Sequence, residues 1–507
     1  MLLGFQNNSS QDEELDKRTV CAVLNCAQMS AADAIAAEAL GESYPLMLSA
    51  GQAVANVVHE HYEDHDVIVL AGPGNNGGDG FVAAMFLQDL GHNVQVMGLG
   101  PARKYKGDAK QALKSWGGKL LSFKSLPECE NNVVIVDALF GSGFRGVLDK
   151  SVTDIFSIVK NGKFPVVAID VPSGVCGDTG EMDEQCLQAK RTVTFFRKKL
   201  AHLLMPSMEF CGHITTHDIG IEDSVTKETG CVGYDNQPAF WQEDLPKITS
   251  ASHKYKRGHI IMLGGERMTG AIRMSSEASM RMGAGLATIV CPQSAQQVYQ
   301  KEGAAHIMVE SLTGDYADFA SHCHSEKNTA ILIGPGAGLD DKAALQKAVL
   351  DSLSFNKPII LDADALSCFA DEPEVLLNAM HESCVITPHE GEFARLFPNV
   401  EGLKHEKVML ASEMTAATIL LKGADTIIAR TGRKPVFHTH ATAWLGTAGA
   451  GDVLAGMIGG LLAQGMPPFE ATCAAAWMHG EAGLRKGAGL VAPDLIEEIP
   501  DILRNFS

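Results

Sequence analysis

The sequence lacks an excess of positive charge, a paired-cysteine motif and a membrane-spanning apolar run. Its formal net charge is −20 at pH 7 over 507 residues, which argues against nucleic-acid binding, since that requires Lys and Arg to neutralise phosphates. The 12 Cys form no C-x-x-C pair, so we expect reduced, mostly buried thiols. The apolar stretch 453–468 is Gly-rich and too short to span a bilayer. Residues 1–17 are polar and acidic, without the basic flank and apolar run of a signal peptide.

These absences predict a cytoplasmic globular protein with neither membrane nor nucleic-acid partners. Apolar residues make up 46% of the chain, enough for large buried cores, and the length indicates two or three domains. In the first half, short apolar runs alternate with helical patterns, which predicts a parallel sheet covered by helices on both faces. The predicted strands are 67–71, 93–98, 133–138, 165–170 and 192–196, and the predicted helices are 30–40, 45–60, 80–90, 107–116 and 151–160.

Polar and Gly-rich segments follow three of these strands, where parallel sheets bind ligands. The first, AGPGNNGGDG at 71–80, contains G-x-G-x-x-G, the pattern of a dinucleotide-binding turn. A dehydrogenase would need an acidic residue about 20 positions further on, but the next strand ends in MGLG at 97–100. Asp79 would also repel a phosphate at the start of the helix. The glycines therefore favour a different ligand.

The three loops carry oxygen-bearing side chains. Asn75, Asn76 and Asp79 follow the first strand, and Asp137 and Ser173 follow two others. Oxygen-only sites suit hard cations, and a site with few carboxylates favours a weakly charged ion such as potassium. The alternative is that Asp79 caps a helix and that the glycines only turn the chain.

Four motifs in order, GPGNNGGDG, VDALFGSGFRG, AIDVPSGV and TVTFFRKKL, together with LMLSAG at 46–51, resemble the NAD(P)H-hydrate epimerase family over about residues 12–222. That resemblance implies a Rossmann-like sandwich that interconverts the R and S forms of NAD(P)HX, the hydrated cofactor. It implies K⁺ held by Asn76, Asp137 and Ser173, and Lys199 near the site. Asp170 is our candidate acid/base residue, and Arg145 our candidate cation for the diphosphate. The implied substrate contacts are Asn75, Asn76, Gly77, Gly78, Asp79, Gly141, Ser142, Gly143, Phe144, Arg145, Gly146, Val147 and Asp170.

The second half restarts the alternating pattern after a polar segment, 222–257, where we place the join. It predicts a second parallel, helix-covered sheet. The predicted strands are 258–263, 286–291, 330–334, 358–362, 384–387, 418–422 and 426–429, with a long helix beginning near Gly451.

The segment GTAGAGD at 446–452 opens that long helix. Free N–H groups at a helix start stabilise anionic oxygen, so 448–451 is a candidate anion hole. Asp452 beside it is a candidate base, able to take a proton from a hydroxyl that attacks phosphorus. The sequence has no G-x-x-x-x-G-K-[ST] motif, which excludes a Walker-type enzyme. The alternative is a Gly-rich helix start that only packs tightly on a sheet.

These features, with GGERMTGAIRMSSEASMRMGAGL, IGPGAG, TPHEGEFARL and LKGADT, resemble the ribokinase-like branch that contains ADP/ATP-dependent NAD(P)HX dehydratases, from about Arg257 onward. The resemblance implies that a nucleotide phosphorylates the ring hydroxyl of the hydrate and that phosphate then leaves. The implied hydrate contacts are Ala271, Gly338, His389 and Asp452. The implied nucleotide contacts are Lys422, Gly423, Ala424, Asp425, Thr426 and Gly451.

Taken together, the chain resembles bacterial bifunctional repair enzymes, with an epimerase over 12–222 and a dehydratase over 235–507. That arrangement implies ADP with Mg²⁺ as the phosphoryl donor, NADHX and NADPHX as substrates, and a homo-oligomer. The rival interpretation is a ribokinase-like small-molecule kinase fused to a non-catalytic ligand-binding domain, in which the phosphate would stay on the product.

Overall fold

The computed structural model of the chain describes residues 18–127, 132–250 and 252–506. The chain divides into two compact units, Met1–Asp235 and Asn236–Ser507. The segment 1–17, on which the signal-peptide prediction rests, lies outside the described residues, as does the start of the domain predicted from residue 12. None of the helices in the described residues is both long and apolar enough to cross a bilayer.

The first unit is built on a seven-stranded sheet in the order β4-β3-β2-β5-β6-β7-β8, with all neighbours parallel. A short antiparallel ladder joins β1 to β9. The strands of this unit are β1 (Ala22–Val23), β2 (Asp66–Ala71), β3 (Val94–Gly98), β4 (Leu120–Ser122), β5 (Val133–Ala138), β6 (Val166–Ile169), β7 (Arg191–Phe195), β8 (His213–His217) and β9 (Gly233–Asp235).

Helices cover both faces of this sheet. Along β2, Val67 and Val69 pack into one hydrophobic core, whereas Ile68 and Leu70 pack into a second core on the opposite face. Alternate side chains of a strand point to opposite faces, so a strand buried on both faces has a continuous apolar sequence. The helices are Cys26–Leu40, Tyr44–Tyr62, Asn75–Asp89, Gly107–Trp116, Lys150–Gly162, Ser207–Cys211 and Val225–Thr229. The predicted three-layer α/β architecture is confirmed.

The second unit contains nine strands in the order β18-β17-β16-β15-β14-β13-β10-β11-β12. The prediction of a parallel sheet is confirmed from β12 to β16 and wrong at one edge, where β16, β17 and β18 are antiparallel. Antiparallel neighbours need only a short turn between them, and only 422–425 separate β16 from β17. The strands are β10 (His259–Leu263), β11 (Leu286–Cys291), β12 (Met308–Ser311), β13 (Ala330–Ile333), β14 (Ile359–Leu361), β15 (Cys384–Ile386), β16 (Thr418–Leu421), β17 (Thr426–Ala429) and β18 (Val436–His438).

The helix Ala450–Ala463 is buried along most of its length. A Cβ atom added at Gly456 would lie 2.2 Å from the carbonyl oxygen of Ser275, so this glycine lets the helix pack closely against Thr269–Arg281. The helices of this unit are Pro238–Trp241, Thr269–Arg281, Gln296–Glu302, Phe319–Cys323, Lys342–Leu353, Asp364–Ser367, Pro373–Leu377, Glu390–Leu396, Lys404–Thr415, Ala450–Ala463, Pro468–Lys486 and Ala492–Arg504.

Candidate active sites

In the turn after β2, two of the three glycines of the G-x-G-x-x-G pattern lie so close to neighbouring backbone that a side chain would not fit. A Cβ atom added at Gly72 would lie 1.8 Å from the carbonyl oxygen of Leu139, and one at Gly77 would lie 1.8 Å from that of Gly72. Gly74 has open space around it. The helix begins at Asn75, earlier than the predicted start at residue 80, so 75–79 form its first turn. The G-x-G-x-x-G pattern here serves to bring the helix start against the loop that follows β5.

Asp137, at the end of β5, joins this loop to the one after β6. Its carboxylate accepts hydrogen bonds from the Ser173 backbone N–H at 2.8 Å and from the Ser173 hydroxyl at 2.6 Å. Both residues are fully buried. Burial raises the pKa of Asp137, and the hydrogen bonds from Ser173 oppose that rise. The side-chain Nδ2 of Asn76 is also buried, and it lacks a hydrogen-bond partner among the described residues.

Asp170 follows β6 in the left-handed backbone region, with φ of 65°. Its Oδ1 lies 2.8 Å from the Nζ of Lys199 and accepts a hydrogen bond from Thr194, and its Oδ2 accepts the Ser142 N–H at 2.8 Å. Burial opposes ionisation, but Lys199 and the hydrogen bonds outweigh it and lower the pKa of Asp170. Asp170 is therefore a carboxylate at neutral pH.

His202 fixes the geometry of this ion pair. Its Nε2–H donates to the backbone carbonyl of Asp170 at 2.7 Å, and its Nδ1 accepts the backbone N–H of Lys199 at 2.9 Å. Burial and the charge of Lys199 lower the pKa of His202 to about 4. The imidazole is thus neutral and holds both partners in place.

Asp170 and Lys199 line a cavity of about 620 Å³, whereas Asp137, Ser173 and His202 lie outside its lining. Of the predicted residues, those that line it are Asn75, Asn76, Asp79, Gly141, Ser142, Gly143, Phe144 and Asp170, together with Lys199. Asp33, from the helix Cys26–Leu40, lines it as well. Burial first, then the charge of Asp170, raises the pKa of Asp79 well above its usual range. Burial raises the pKa of Asp33 to about 6.

Five predicted contacts do not line this cavity: the buried Gly77 and Gly78, and Arg145, Gly146 and Val147. The guanidinium of Arg145 lies 2.5 Å from a carboxylate oxygen of Asp178 and donates to two backbone carbonyls. Val147 is 83% exposed. Arg145 therefore has its charge already matched by Asp178.

In the second unit, the helix that contains Asp452 begins at Ala450. Lys422, at the end of β16, donates to Oδ1 of the buried Asp362 at 2.7 Å. A Cβ atom added at Gly451 would lie 3.7 Å from the Nζ of Lys422, so the ammonium group sits beside the helix start. Burial and the charge of Asp362 raise the pKa of Asp452 to about 6, against the opposing effect of Lys422.

The other predicted hydrate contacts lie around the same sheet edge. The Gly338 N–H donates to Asp364 at 2.8 Å, and Ser275 donates to the carbonyls of both Ala271 and Asp452. The backbone of His389 pairs with that of Lys422. The Nδ1 of His389 caps the next helix by accepting the N–H groups of residues 391 and 392. The Nε2 of His389 lies 3.7 Å from a carboxylate oxygen of Glu392, so a ligand at that nitrogen would lie beside Glu392.

The predicted nucleotide segment, 422–426, forms a tight turn between β16 and β17. The Thr426 hydroxyl donates to the Gly423 carbonyl at 2.8 Å and accepts the Gly423 N–H at 3.1 Å. Asp425 lies 2.6 Å from the Nζ of Lys404, which also contacts Glu390 at 2.9 Å. A separate cavity of about 450 Å³ is lined by Gly338 together with Glu266, Tyr316 and Asp340, among others.

Sequence reasoning missed Asp33, His202 and Lys404. For Asp33 a signal existed, because it lies four residues after Met29 and three before Ala36, two buried residues on the same side of the helix. A carboxylate on such a face is unusual unless it is paired or functional. For Lys404 no signal exists, since its partner Asp425 is 21 residues away and the pairing depends on the tertiary fold.

Comparisons with known proteins cover both units. Residues 43–201 match the family model described as YjeF-related protein N-terminus, and 259–501 match the model described as NAD(P)H-hydrate dehydratase. The dehydratase of Bacillus subtilis, crystallised with ATP and Mg²⁺, is 25% identical with a TM-score of 0.46, and the match covers 54% of this chain and 99% of that one.

Two relatives match over nearly their whole length. The bifunctional NAD(P)H-hydrate repair enzyme of Moorella thermoacetica is 31% identical over 96% of this chain and 97% of its own. The enzyme of the same description from Escherichia coli is 32% identical over 92% of this chain and 91% of its own. The family predicted from the motifs is confirmed, and the matches favour the two-enzyme interpretation over a kinase fused to a binding domain. The chain belongs to the family of bifunctional NAD(P)H-hydrate repair enzymes.

Proposed function

We propose that the first unit interconverts the R and S epimers of NADHX and NADPHX, and that the second dehydrates the S epimer at the expense of ADP. The domains proposed for these steps are 12–222 and 235–507. The observation that carries the proposal is the pair of carboxylates with tuned ionisation: Asp170 is held charged by Lys199 at 2.8 Å, and Asp452 lies at a helix start near Lys422. Carboxyl groups whose ionisation is shifted by burial and by nearby charges are typical of functional sites.

In the epimerase site, ionised Asp170 is the proposed acid/base residue. Its charge faces the 620 Å³ cavity and would stabilise positive charge that develops on the substrate ring. The proposed substrate contacts are the helix turn 75–79 and the segment 141–147. Arg145 belongs to this set only if the diphosphate displaces Asp178 from it, since the two are paired at 2.5 Å.

Potassium is the proposed cation of this site, held by Asn76, Asp137 and Ser173. The donor set fits it, because it combines a carboxylate, a hydroxyl and an amide, which are oxygen donors that hard cations prefer. In Asn76 the donor to the ion would be the amide oxygen, since the amide nitrogen carries hydrogens and cannot ligate a cation. A bound K⁺ would supply a local positive charge beside the cavity that Asn76 lines.

In the dehydratase site, Asp452 is the proposed base that takes the proton from the ring hydroxyl as it attacks phosphorus. The free N–H groups at the start of the helix Ala450–Ala463 would stabilise the phosphoryl oxygens, and Lys422 would add a point charge. The proposed nucleotide contacts are 422–426 and Gly451, and the proposed hydrate contacts are Ala271, Gly338, His389 and Asp452.

Mg²⁺ is proposed to enter with ADP. Asp362 and Asp364 place carboxylates near Asp452, as their effects on its pKa indicate, and such oxygen donors fit that ion. Mg²⁺ would neutralise phosphate charge when bound. A cytoplasmic location is supported by the free thiols of the described cysteines. A homo-oligomer is the proposed assembly, and the exposed Trp444 and Val491 are candidate contacts.

The test is the recovery of reduced nicotinamide from an epimer mixture, followed by its near-ultraviolet absorbance, with K⁺, Mg²⁺ and either ADP or ATP. We expect full recovery with nucleotide, and a faster rate with ADP. Asp170→Asn should stop recovery at one epimer, and Asp452→Asn should abolish dehydration while epimerisation continues. Asp154→Asn and Asp351→Asn, two surface carboxylates in helical ion pairs, are matched controls. A stable phosphorylated product would instead support the kinase alternative.

A further inference from the structure

Asp33 is a carboxyl group without a structural role in the first unit. It lies in the middle of the helix Cys26–Leu40, beside the buried Ala32 and Ala36, and it lines the epimerase cavity. Within the described residues its carboxyl group has neither a hydrogen bond nor an ion pair. A carboxyl group placed on the buried side of a helix without a partner lowers stability, so such a residue is a candidate for function.

Epimerisation of the hydrate needs an acid as well as a base. Water adds to the enamine bond of a dihydronicotinamide so that the hydroxyl ends on the ring carbon next to the ring nitrogen, and the two epimers differ at that carbon. To exchange the hydroxyl between faces, one C–O bond must break on one face and another must form on the opposite face. The leaving hydroxyl needs a proton donor, and the entering water needs an acceptor.

We propose that Asp33 is the proton donor of epimerisation, acting with Asp170 from another wall of the cavity. The Asp33 carboxylic acid gives its proton to the hydroxyl, which leaves as water while the lone pair of the ring nitrogen forms an iminium bond. A second water attacks the opposite face and restores that lone pair, and its proton passes to the Asp170 carboxylate. Asp170 then releases a proton to solvent and Asp33 regains one, so the net change is inversion only.

The surroundings of the three carboxyl groups support this division of roles. Asp170 accepts from Ser142, Thr194 and Lys199, so it is ionised before the reaction. It is a weak base, but the water becomes strongly acidic as its C–O bond forms. Burial raises the pKa of Asp33 to about 6, which suits a group that must lose and regain a proton near neutral pH.

Asp79 is the competing donor, since it lines the same cavity. Its pKa is raised well above the usual range, by burial first and then by Asp170 and Asp33, so Asp79 is a second protonated carboxyl group at this cavity, and only substitution distinguishes it from Asp33. The other titratable groups that line the cavity are Cys26, Asp108 and Lys199. Of the groups that act on Asp33, Lys199 lowers its pKa and Asp170 raises it.

The inference rests on the proposed role of Asp170, and one assay separates the two. The full-length chain is given the R epimer with ADP, and NADH formation is measured above the rate without protein. Dehydration of the S epimer serves as the internal control for folding. We expect Asp33→Asn to lower kcat for epimerisation by ~10²-fold, with KM and dehydration unchanged. Glu38→Gln, an exposed carboxylate on the same helix, should leave both activities unchanged.

Two further results would distinguish a proton-donating role of Asp33 from a purely structural one. Epimerisation by the wild-type chain should fall as pH rises above about 6 and Asp33 ionises, and Asp33→Asn should lose that dependence. Added formate should restore part of the activity of Asp33→Ala. If Asp33→Asn epimerises normally while Asp170→Asn does not, the inference about Asp33 is overturned and the proposed role of Asp170 stands. If Asp79→Asn loses epimerisation and Asp33→Asn does not, the proton donor is Asp79. Normal epimerisation by Asp170→Asn would overturn the proposed site itself.

Discussion

The Nζ of Lys199 lies 2.8 Å from Oδ1 of Asp170, and only 2% of the lysine side chain is exposed. Lys199 also donates to Thr194 at 2.9 Å, so its ammonium group is nearly enclosed by oxygen atoms. This pair connects the segment after β7 to the end of β6 and sets the charge of the epimerase cavity. A buried ion pair of this kind is costly to break from one side, because the remaining charge is left without a partner.

Lys199→Met should therefore impair epimerisation through Asp170. Without the ammonium group, burial becomes the dominant influence and the pKa of Asp170 rises. Because the proposed reaction needs ionised Asp170, the acidic limb of the pH–rate profile should move to higher pH. Loss of one partner should also lower the free energy of unfolding by ~3–5 kcal/mol. The measurements are the pH dependence of epimerisation and the unfolding temperature.

Lys198→Met is the matched control for that experiment. Lys198 is the adjacent residue, and it lies 2.8 Å from Asp235, outside the lining of the epimerase cavity. It should leave the acidic limb in place. An identical pH profile for Lys199→Met and Lys198→Met would show that the ion pair with Asp170 does not control the reaction.

Gly77→Ala should destabilise the first unit far more than Gly74→Ala. The Cβ atom of an alanine at 77 would lie 1.8 Å from the carbonyl oxygen of Gly72, whereas at 74 nothing lies within 4 Å. Overpacking of this kind costs ~1–3 kcal/mol or more, and Gly74 has an ordinary negative φ of −93°. Thermal unfolding of the two variants measures the difference. Equal unfolding temperatures would mean that the backbone moves apart at little cost.

The central strands of both sheets could be predicted from sequence because they are buried on both faces. The run Val67–Leu70 is apolar at every position, and such continuity identifies a parallel strand. Edge strands carry no such signal: β8 has the sequence HITTH and is partly exposed along its length. It was not predicted, and neither was β12, MVES, at the other sheet's edge. Half-exposed strands need fewer apolar residues, so their pattern resembles a loop.

The candidate sites were predicted where a motif carries several ligand types together, as in NNGGD at 75–79. Contacts that depend on the fold were not predictable. His202 was not singled out, because its role arises only when its two ring nitrogens meet the backbone of Lys199 and of Asp170. Asp33 differs from these, since its spacing from Met29 and Ala36 can be read from the sequence.

Lys422→Met should weaken nucleotide binding and leave epimerisation unchanged. The Nζ of Lys422 lies beside Gly451 at the helix start, where it would meet a phosphate. We expect KM for ADP to rise by ~30-fold or more, since removal of a paired charge costs ~2–5 kcal/mol. Lys347→Met, which removes a surface lysine paired with Asp351, is the matched control.

Loss of stability must be separated from loss of binding in that variant, because Asp362 is buried and would keep an unpaired charge. The double variant Lys422→Met with Asp362→Asn removes both charges and should recover much of the lost stability. It should not recover ADP affinity. Recovery of normal KM in the double variant would show that Lys422 acts only as a structural partner.

Dehydration should depend on the ionisation of Asp452. Burial and the charges of Asp362 and Asp364 raise its pKa to about 6, and only the carboxylate can accept the proton of the ring hydroxyl. We therefore expect kcat/KM to fall as pH drops below about 6, and Asp452→Asn to lower kcat by ~10²–10⁴-fold. Asp364→Asn keeps an acceptor for the Gly338 N–H but removes a negative charge, so it should lower the pKa of Asp452 and move the acidic limb to lower pH. The acidic limb of the pH–rate profile could instead stay in place in Asp364→Asn and persist in the residual activity of Asp452→Asn. That result would assign the titration to a group other than Asp452.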